Sequence, residues 1–586
     1  MSSLLAEPNA LHLPATEHKA LMSDGVELFY RAWLPNVPAK KALLLFHRGH
    51  ERSGRWQETV ENLALDDVAI FAWDARGHGL SPGERGSAVN LARVIKDADE
   101  FARHIATQHN IAHEDMIVLA HSVGAVVAAA WVHDYAPPIR AMILATPAFR
   151  VKLYVPFAVP LLRMREKLLG PGFVSSYVTS GMLTHDPVEA KRYDADPLIF
   201  RQIAVNILLD LHDTSTRLLD DAGAITVPTI VMAAGSDWVV DVGAQEEFLR
   251  KLSTPIKRWE MFSDFSHAVF HEKGREKLVT KASAFILERF AAARAPASLL
   301  DADKQGYTKA EFDRLQEPSW RYGFTRWFLK NVGTLSKGIA LGWESGFDSG
   351  VTLDYVYKNE AQGATPLGWL IDRNYLDSVG WTGIRQRRVH LEKVLHTLIR
   401  ETHAAGRPVN VLDIATGAGR YVLETMNHLR DIPITAVLRD YKEANLEAAR
   451  QLAASLNLAG ATILHGDAFD RASLAAVTPR PTIGIVSGLY ELFPDNEPVR
   501  RSLAGLADAI EPGGHLIYTN QPWHPQVEMI ARTLTNREGK PWIMRRRTQA
   551  EMDELVRAAG FVKLTQEIDQ WGIFTVSVAR RVGGDA

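Results

Sequence analysis

Ala120-His121-Ser122-Val123-Gly124 stands at the end of the apolar run 116–120 and before a second apolar stretch opening with Ala125. A short buried run that ends in small residues and passes straight into a helix-like segment reads as a strand feeding a helix through a sharp turn, the repeating unit of a parallel sheet. Outward from it, apolar runs at 43–46, 69–73, 141–145 and 229–233 alternate with helix-like segments to about residue 294. The stretch 149–224 breaks this rhythm with apolar and Pro-rich segments and reads as helices laid over the strand ends, a cap. A second quotation opens the other half: Asp413-Ile414-Ala415-Thr416-Gly417-Ala418-Gly419 also follows an apolar run. Around it, strands are expected near 409–414, 434–438, 462–464, 483–487, 516–519 and 575–579, which makes a second doubly wound α/β sheet.

Length agrees with two sheets, because single cores stop growing near roughly 250–300 residues and this chain has 586. Hydrophobic residues at 46% and charged residues at 23% are ordinary for globular domains. A net charge of −3 offers no bulk attraction to nucleic acid, so the expected partners are small molecules or lipids, with no obligate protein partner implied. The chain has no cysteine, which removes thiol nucleophiles and thiolate metal sites; no metal is expected. Residues 1–20 lack the pattern of a secretory signal, no run reaches the roughly 20 apolar residues of a membrane span, and cytoplasmic residence is expected.

The expected organisation is a first domain at 1–294, a linker at 295–318, a helical segment at 319–383 and a second domain at 384–586. Inside the linker, Asp301-Ala302-Asp303-Lys304-Gln305-Gly306 resembles the start of a calcium loop, but the twelfth position holds Phe312 and Glu311 comes one residue early. A solvated turn capping the next helix is the better reading. The mixed aromatic and basic stretch from Trp320 to Lys337 reads either as a helix packed on one domain or as a peripheral membrane contact at the inner face of the membrane.

Chemistry is legible first around Ser122. A nucleophilic serine on a strained strand-to-helix turn needs small neighbours, and Ala120 and Gly124 supply them. Gly235-Ser236-Asp237 and Ser266-His267 follow later strands, so the order Ser, acid, base is that of α/β hydrolases. Asp237 would orient His267, which would take the Ser122 proton, while the N–H groups of Val123 and Gly49 would receive the charge that develops on oxygen. With the surrounding motifs Phe46-His47-Arg48-Gly49-His50-Glu51-Arg52-Ser53-Gly54-Arg55-Trp56, Asp74-Ala75-Arg76-Gly77-His78-Gly79-Leu80-Ser81 and Asp196-Pro197-Leu198, residues 20 to 290 resemble the monoacylglycerol lipase and lysophospholipase branch of the α/β-hydrolase family, related to the S33 serine aminopeptidases. That resemblance implies an α/β-hydrolase fold with a helical cap and long-chain esters as substrates. Leu153, Val155, Phe157, Leu161 and Leu162 are candidates for an acyl channel. Two departures stand out: Arg48 replaces the family's Gly, where it would shift the oxyanion donor or carry positive charge toward an anionic headgroup, and Ala120 and Ala125 replace Gly at the turn. His121 and His271 read as structural.

In the second half, Gly417 and Gly419 permit close backbone approach where a first strand turns into a helix, and Asp440 follows the second strand at the distance of a ribose-gripping acid. Asp467 follows the third. Val422 stands where a nicotinamide site would have its third Gly. This series, with Glu511-Pro512-Gly513-Gly514, resembles class I methyltransferases, a Rossmann-like fold, and implies S-adenosyl-L-methionine as cofactor, held by Asp413, Ala415, Gly417, Gly419, Asp440 and Asp467. Tyr490, Glu491, Asn520 and His524 are candidates for the acceptor side, since ligands bind beyond the carboxyl ends of strands. Arg545-Arg546-Arg547 reads as an exposed charge run. The whole chain therefore resembles the bacterial bifunctional hydrolase/methyltransferase fusions, with two alternatives open: one half serving only as a binding module, or acyl transfer in place of hydrolysis.

Overall fold

The computed structural model describes residues 14–294 and 296–583 and divides into two compact units, 1–297 and 298–586. The first is built on an eight-stranded sheet: β1 (Thr16–Leu21), β2 (Glu27–Trp33), β3 (Ala42–Phe46), β4 (Ala69–Trp73), β5 (Met116–His121), β6 (Ala141–Ala145), β9 (Thr229–Ala234) and β10 (Lys257–Phe262), in the order β1-β2-β4-β3-β5-β6-β9-β10. From β4 onward all pairings are parallel, and every residue of β3 to β6 is buried, as strands covered on both faces require. Side chains alternate: Leu43, Leu45, Ile117 and Ile143 meet the helix Glu276–Ala291 through Leu278, Ala282 and Phe285, while Phe46 and Trp73 face Trp131 and Phe101 of the helices Val123–Tyr135 and Leu91–His109. The antiparallel β1–β2 pair went unread in the sequence; β1 at the sheet edge is largely polar, whereas β2 is mostly apolar and buried.

Between β6 and β9 lies the cap: four helices, Ala158–Leu169, Ser180–Leu183, Pro187–Ala195 and Val205–Asp221, plus a two-stranded pair, β7 (Phe173–Ser175) with β8 (Gln202–Ala204), which the all-helical expectation lacked.

The second unit holds β11 (Val409–Asp413), β12 (Ile434–Asp440), β13 (Ala461–His465), β14 (Ile483–Val486), β15 (His515–Asn520), β16 (Phe561–Ile568) and β17 (Thr575–Arg581), ordered β13-β12-β11-β14-β15-β17-β16. The first five are parallel and β17 runs antiparallel between β15 and β16. β16 was missed in the sequence because this edge strand, Phe-Val-Lys-Leu-Thr-Gln-Glu-Ile, buries only Phe561 and Gln566. The chain order reverses at β11, whose neighbours are β12 on one side and β14 on the other, and ligands bind at such a switch point.

Two boundaries need correction. Ala295, the first expected linker residue, lies outside the described residues, but from Ser298 onward the supposed linker belongs to the second unit. Ser298 and Leu299 hydrogen-bond Glu554, Leu300 packs on the core beside Leu506, and Glu311 of the helix Tyr307–Gln316 pairs with Arg546. Asp301 pairs with Arg500 and Lys304, and Asp303 accepts from the Asn496 N–H, so this turn, solvated as expected, is tied to the second unit, and no side chain of it caps the helix that follows. The helix Val379–Ala404 runs straight through the expected boundary at 383/384. The helices before it gather on Asp372, fully buried, which accepts from Ser336, Gly338, Tyr355 and Gln362.

Arg545, Arg546 and Arg547 are at most 3% exposed, the opposite of an exposed run. Arg545 pairs with Glu551 at 2.8 Å, and Arg547 donates to the carbonyls of Tyr490, Phe493 and Asp495. Three adjacent cations read as surface by charge; tertiary acceptors brought from distant loops are what bury them.

Candidate active sites

Ser122 sits between β5 and its helix at φ 55° and ψ −112°, a strained backbone for a side-chain-bearing residue. The turn tolerates it because the helix abuts β3: a Cβ on Gly124 would lie 2.4 Å from the His47 carbonyl oxygen and 2.7 Å from that of Phe46. His267 Nε2 is 2.8 Å from Ser122 Oγ, and His267 Nδ1 is 2.9 Å from Asp237 Oδ2. The other Asp237 oxygen accepts from the N–H groups of Val239 and Val240 at 2.8 and 2.9 Å. Burial works to raise the Asp237 pKa, yet His267 and these two N–H groups outweigh it and hold the carboxyl below its usual range. The three residues named from sequence are thus brought into one hydrogen-bonded line.

Gly49 and Val123 are neighbours, a Cβ on Gly49 falling 3.2 Å from Val123 Cγ2, and both border Ser122. The site opens into a cavity of about 390 Å³ whose wall is mainly apolar. Leu153, Val155, Leu161 and Leu162 line it as expected; Phe157 does not, being 80% exposed. His50 and His78 of the wall are pushed down to about 4 and about 3, chiefly by burial, and so are neutral at pH 7. Arg48 does not deliver free positive charge: Glu51 neutralises it at 2.6 Å, and its guanidinium lies 4.8 Å from the Tyr193 ring of the cap. With Arg55–Glu189 and Arg52–Asp196, it ties the oxyanion loop to the cap. His121 Nε2 is 3.0 Å from the His267 carbonyl and His271 Nε2 is 3.1 Å from that of Arg55, contacts that fix loops as expected.

At the switch point of the second sheet, Asp413 is fully buried at the end of β11. Burial pushes its carboxyl up to about 7, against hydrogen bonds from Tyr421 Oη and the Ala415 N–H. Gly417 has φ +56° and open space where a Cβ would point, a cradle fit for a ligand lying on the backbone. Gly419, at φ +65°, lies against Leu438 and Leu423 instead and serves packing. Asp440 Oδ2 accepts from the Gly417 N–H at 2.9 Å and keeps a lone pair, while Oδ1 is filled by the Lys442 N–H and Asn445, so the residue shapes the loop. Asp467 is exposed and caps its own turn through the Phe469 N–H.

Of the four acceptor-side candidates, Glu491 keeps a carboxylate oxygen unengaged by any described residue. Its Oε2 is buried without a partner among the described residues, and its Oε1 lies 3.6 Å from Arg387. Tyr490 points into the core and donates to Ser502, which removes it from the site. The Asn520 NH2 donates to the Arg547 carbonyl, and His524 Nδ1 accepts from the Gln526 N–H, with burial pushing its pKa down to about 4. Tyr490 is thereby corrected: facing the strand end in sequence does not fix which way a side chain turns.

Residues 282–581 match the family model described as "Putative methyltransferase". "Uncharacterized protein YnbC" of Escherichia coli (strain K12) is 49% identical over 581 residues, covering 96% of this chain and 98% of that protein. The chain belongs to this family. Its first unit matches the model "Serine aminopeptidase, S33" over residues 37–274, and a "Monoacylglycerol lipase" of Mycolicibacterium smegmatis is 25% identical over 274 residues, 46% of this chain and 97% of that protein. The crystal structure of Paleococcus ferrophilus monoacylglycerol lipase covers 45% of this chain and 99% of its own, at 21% identity and a TM-score of 0.41. This chain joins an α/β-hydrolase unit to a methyltransferase-type Rossmann-like unit.

Sequence reasoning missed Arg387 and Tyr421. Arg387 lies on the helix Val379–Ala404, with its guanidinium over the Phe574 ring and 3.2 Å from where a Cβ on Gly488 would be. Neither residue lies at a strand end, and only Gly488 just after β14 hinted at a close approach there.

Proposed function

We propose that the first unit is a serine carboxylic-ester hydrolase for lipid-like esters of the monoacylglycerol or lysophospholipid type, and the second an S-adenosyl-L-methionine-dependent methyltransferase acting on a small molecule or lipid headgroup. The observation that carries the first reading is the continuous Ser122–His267–Asp237 line opening into an apolar cavity. His267 Nε2 takes the Oγ proton as Ser122 attacks the ester carbonyl, and Asp237 stabilises the imidazolium. The oxyanion meets the Val123 and Gly49 N–H groups; His267 then protonates the departing alcohol, and water repeats the sequence to release the acid. An apolar channel and neutral histidines suit an acyl chain better than a charged one.

The second reading rests on Asp413 and Gly417 at the switch point. S-adenosyl-L-methionine bound there would supply an electrophilic methyl group. Asp413 would meet the cofactor's positive charge, Gly417 would leave room for it along the backbone, and Glu491 Oε2 would accept from the N–H or O–H of the nucleophile, so positioning carries the rate. The test has two arms: fluorophosphonate labelling of wild type and Ser122→Ala, and calorimetric titration of S-adenosyl-L-methionine into wild type and Asp413→Ala. Labelling that survives Ser122→Ala ends the first reading, and absence of binding to wild type ends the second.

A further inference from the structure

The helix Gly323–Asn331 in the second unit has no buried residue, although helices of folded units normally bury one face. Just before it Trp320 is 93% exposed, and along it Phe324, Trp327 and Phe328 are 76, 55 and 37% exposed. Phe324 and Trp327 stack at 5.9 Å between ring centroids, so these residues form one ridge and not scattered surface apolars. Near the helix's end the single turn Gly333–Leu335 meets the helix Pro366–Leu376, whose Gly368 is so close that a Cβ would lie 2.4 Å from the Leu335 carbonyl oxygen. That second helix leaves Leu367, Trp369 and Leu370 at least half exposed.

Charge narrows what could cover such a surface. Residues 320–337 include Arg321, Arg326, Lys330 and Lys337 and not one Asp or Glu. Lys330 lies over the Trp343 ring and Lys337 donates to Gln362, and none of the four makes an ion pair among the described residues. Aromatic side chains flanked by cations, with no acidic residue in the segment itself and one acidic contact, Glu528 at Tyr322, match a surface that is apolar beneath and uniformly anionic above. No helix among the described residues is long and apolar enough to cross a membrane, so such contact would be peripheral.

We propose that the segment Trp320–Lys337 docks on an anionic lipid bilayer, with Trp320, Phe324 and Trp327 at the edge of the hydrocarbon and Arg321, Arg326 and Lys330 among the headgroup phosphates. Docking is independent of which reactions the two sites run. It places the protein where esters and headgroups of membrane lipids are concentrated.

Flotation of the full chain with vesicles of phosphatidylglycerol mixed into phosphatidylcholine tests this, with pure phosphatidylcholine vesicles in parallel. Wild type should float with the anionic vesicles and largely remain behind with the neutral ones. Trp320→Ser/Phe324→Ser/Trp327→Ser should weaken partitioning by about tenfold or more, since each ring loses apolar area it would bury. Arg321→Gln/Arg326→Gln/Lys330→Gln should lose roughly fivefold per residue at low salt and far less at high salt. A Leu168→Ser/Leu169→Ser variant, which alters the exposed apolar end of the hydrolase cap helix, should float like wild type. The proposal is overturned if wild type does not float, if neutral vesicles capture it equally, if the aromatic variant floats unchanged, or if only the cap variant loses binding. It is equally overturned if sedimentation shows that the aromatic variant has lost self-association while vesicle binding was never present.

Discussion

Asp237→Asn has an outcome that the geometry constrains closely. One carboxylate oxygen of Asp237 already accepts two backbone N–H groups, those of Val239 and Val240, and the other faces His267 Nδ1. An asparagine must keep its carbonyl oxygen on the two N–H groups, because turning its NH2 toward them would leave both buried donors unmade at about 1–3 kcal/mol each. The NH2 then faces His267 Nδ1 and forces it to accept. A neutral imidazole carries one proton, which moves to Nε2 and points at Ser122 Oγ, so the base is lost with almost no change in structure. In enzymes with this triad the same trap costs about 10⁴-fold in kcat, or about 5.4 kcal/mol. Initial rates on a chromogenic medium-chain ester measure the loss, and thermal melting shows whether the fold persists. A variant that keeps its melting temperature and hydrolyses within about tenfold of wild type would refute the assignment of Asp237.

Two further perturbations probe the second unit. Asp413, pushed up to about 7, is mostly protonated below that pH and ionised above it; since a cationic cofactor favours the carboxylate, affinity for S-adenosyl-L-methionine should be flat above pH 8 and fall toward tenfold per unit below about 7, with proton release in calorimetry. Affinity that is independent of pH from 6 to 8 would remove Asp413 from the site. Glu551→Ala strips Arg545 of its buried partner and frees Asn496, so denaturant unfolding of the second unit should lose about 3–5 kcal/mol while ester hydrolysis is retained; a loss under about 1 kcal/mol would mean that the carbonyls around Arg545 satisfy it alone.

Local pattern carried much of both units. Fully apolar runs such as Leu43, Leu44 and Leu45 announce strands buried on both faces, and a Ser flanked by Ala120 and Gly124 announces the sharp turn, because sterics within a few residues fix both. The same logic found Gly417, whose positive φ is a local property. Edge strands β1 and β16 escaped it, since one solvated side removes the apolar signal. By itself, then, the sequence determined two α/β sheets, the chain order of Ser122, Asp237 and His267, and the glycine turn after β11. Only the tertiary structure decided that Arg545 to Arg547 are interior, that residues 298–317 belong to the second unit, that Arg48 is spent on Glu51, and that Tyr490 turns into the core. In each of these cases the partner comes from a distant part of the chain or the side chain's direction is set by packing, and neither quantity is written in the neighbouring residues.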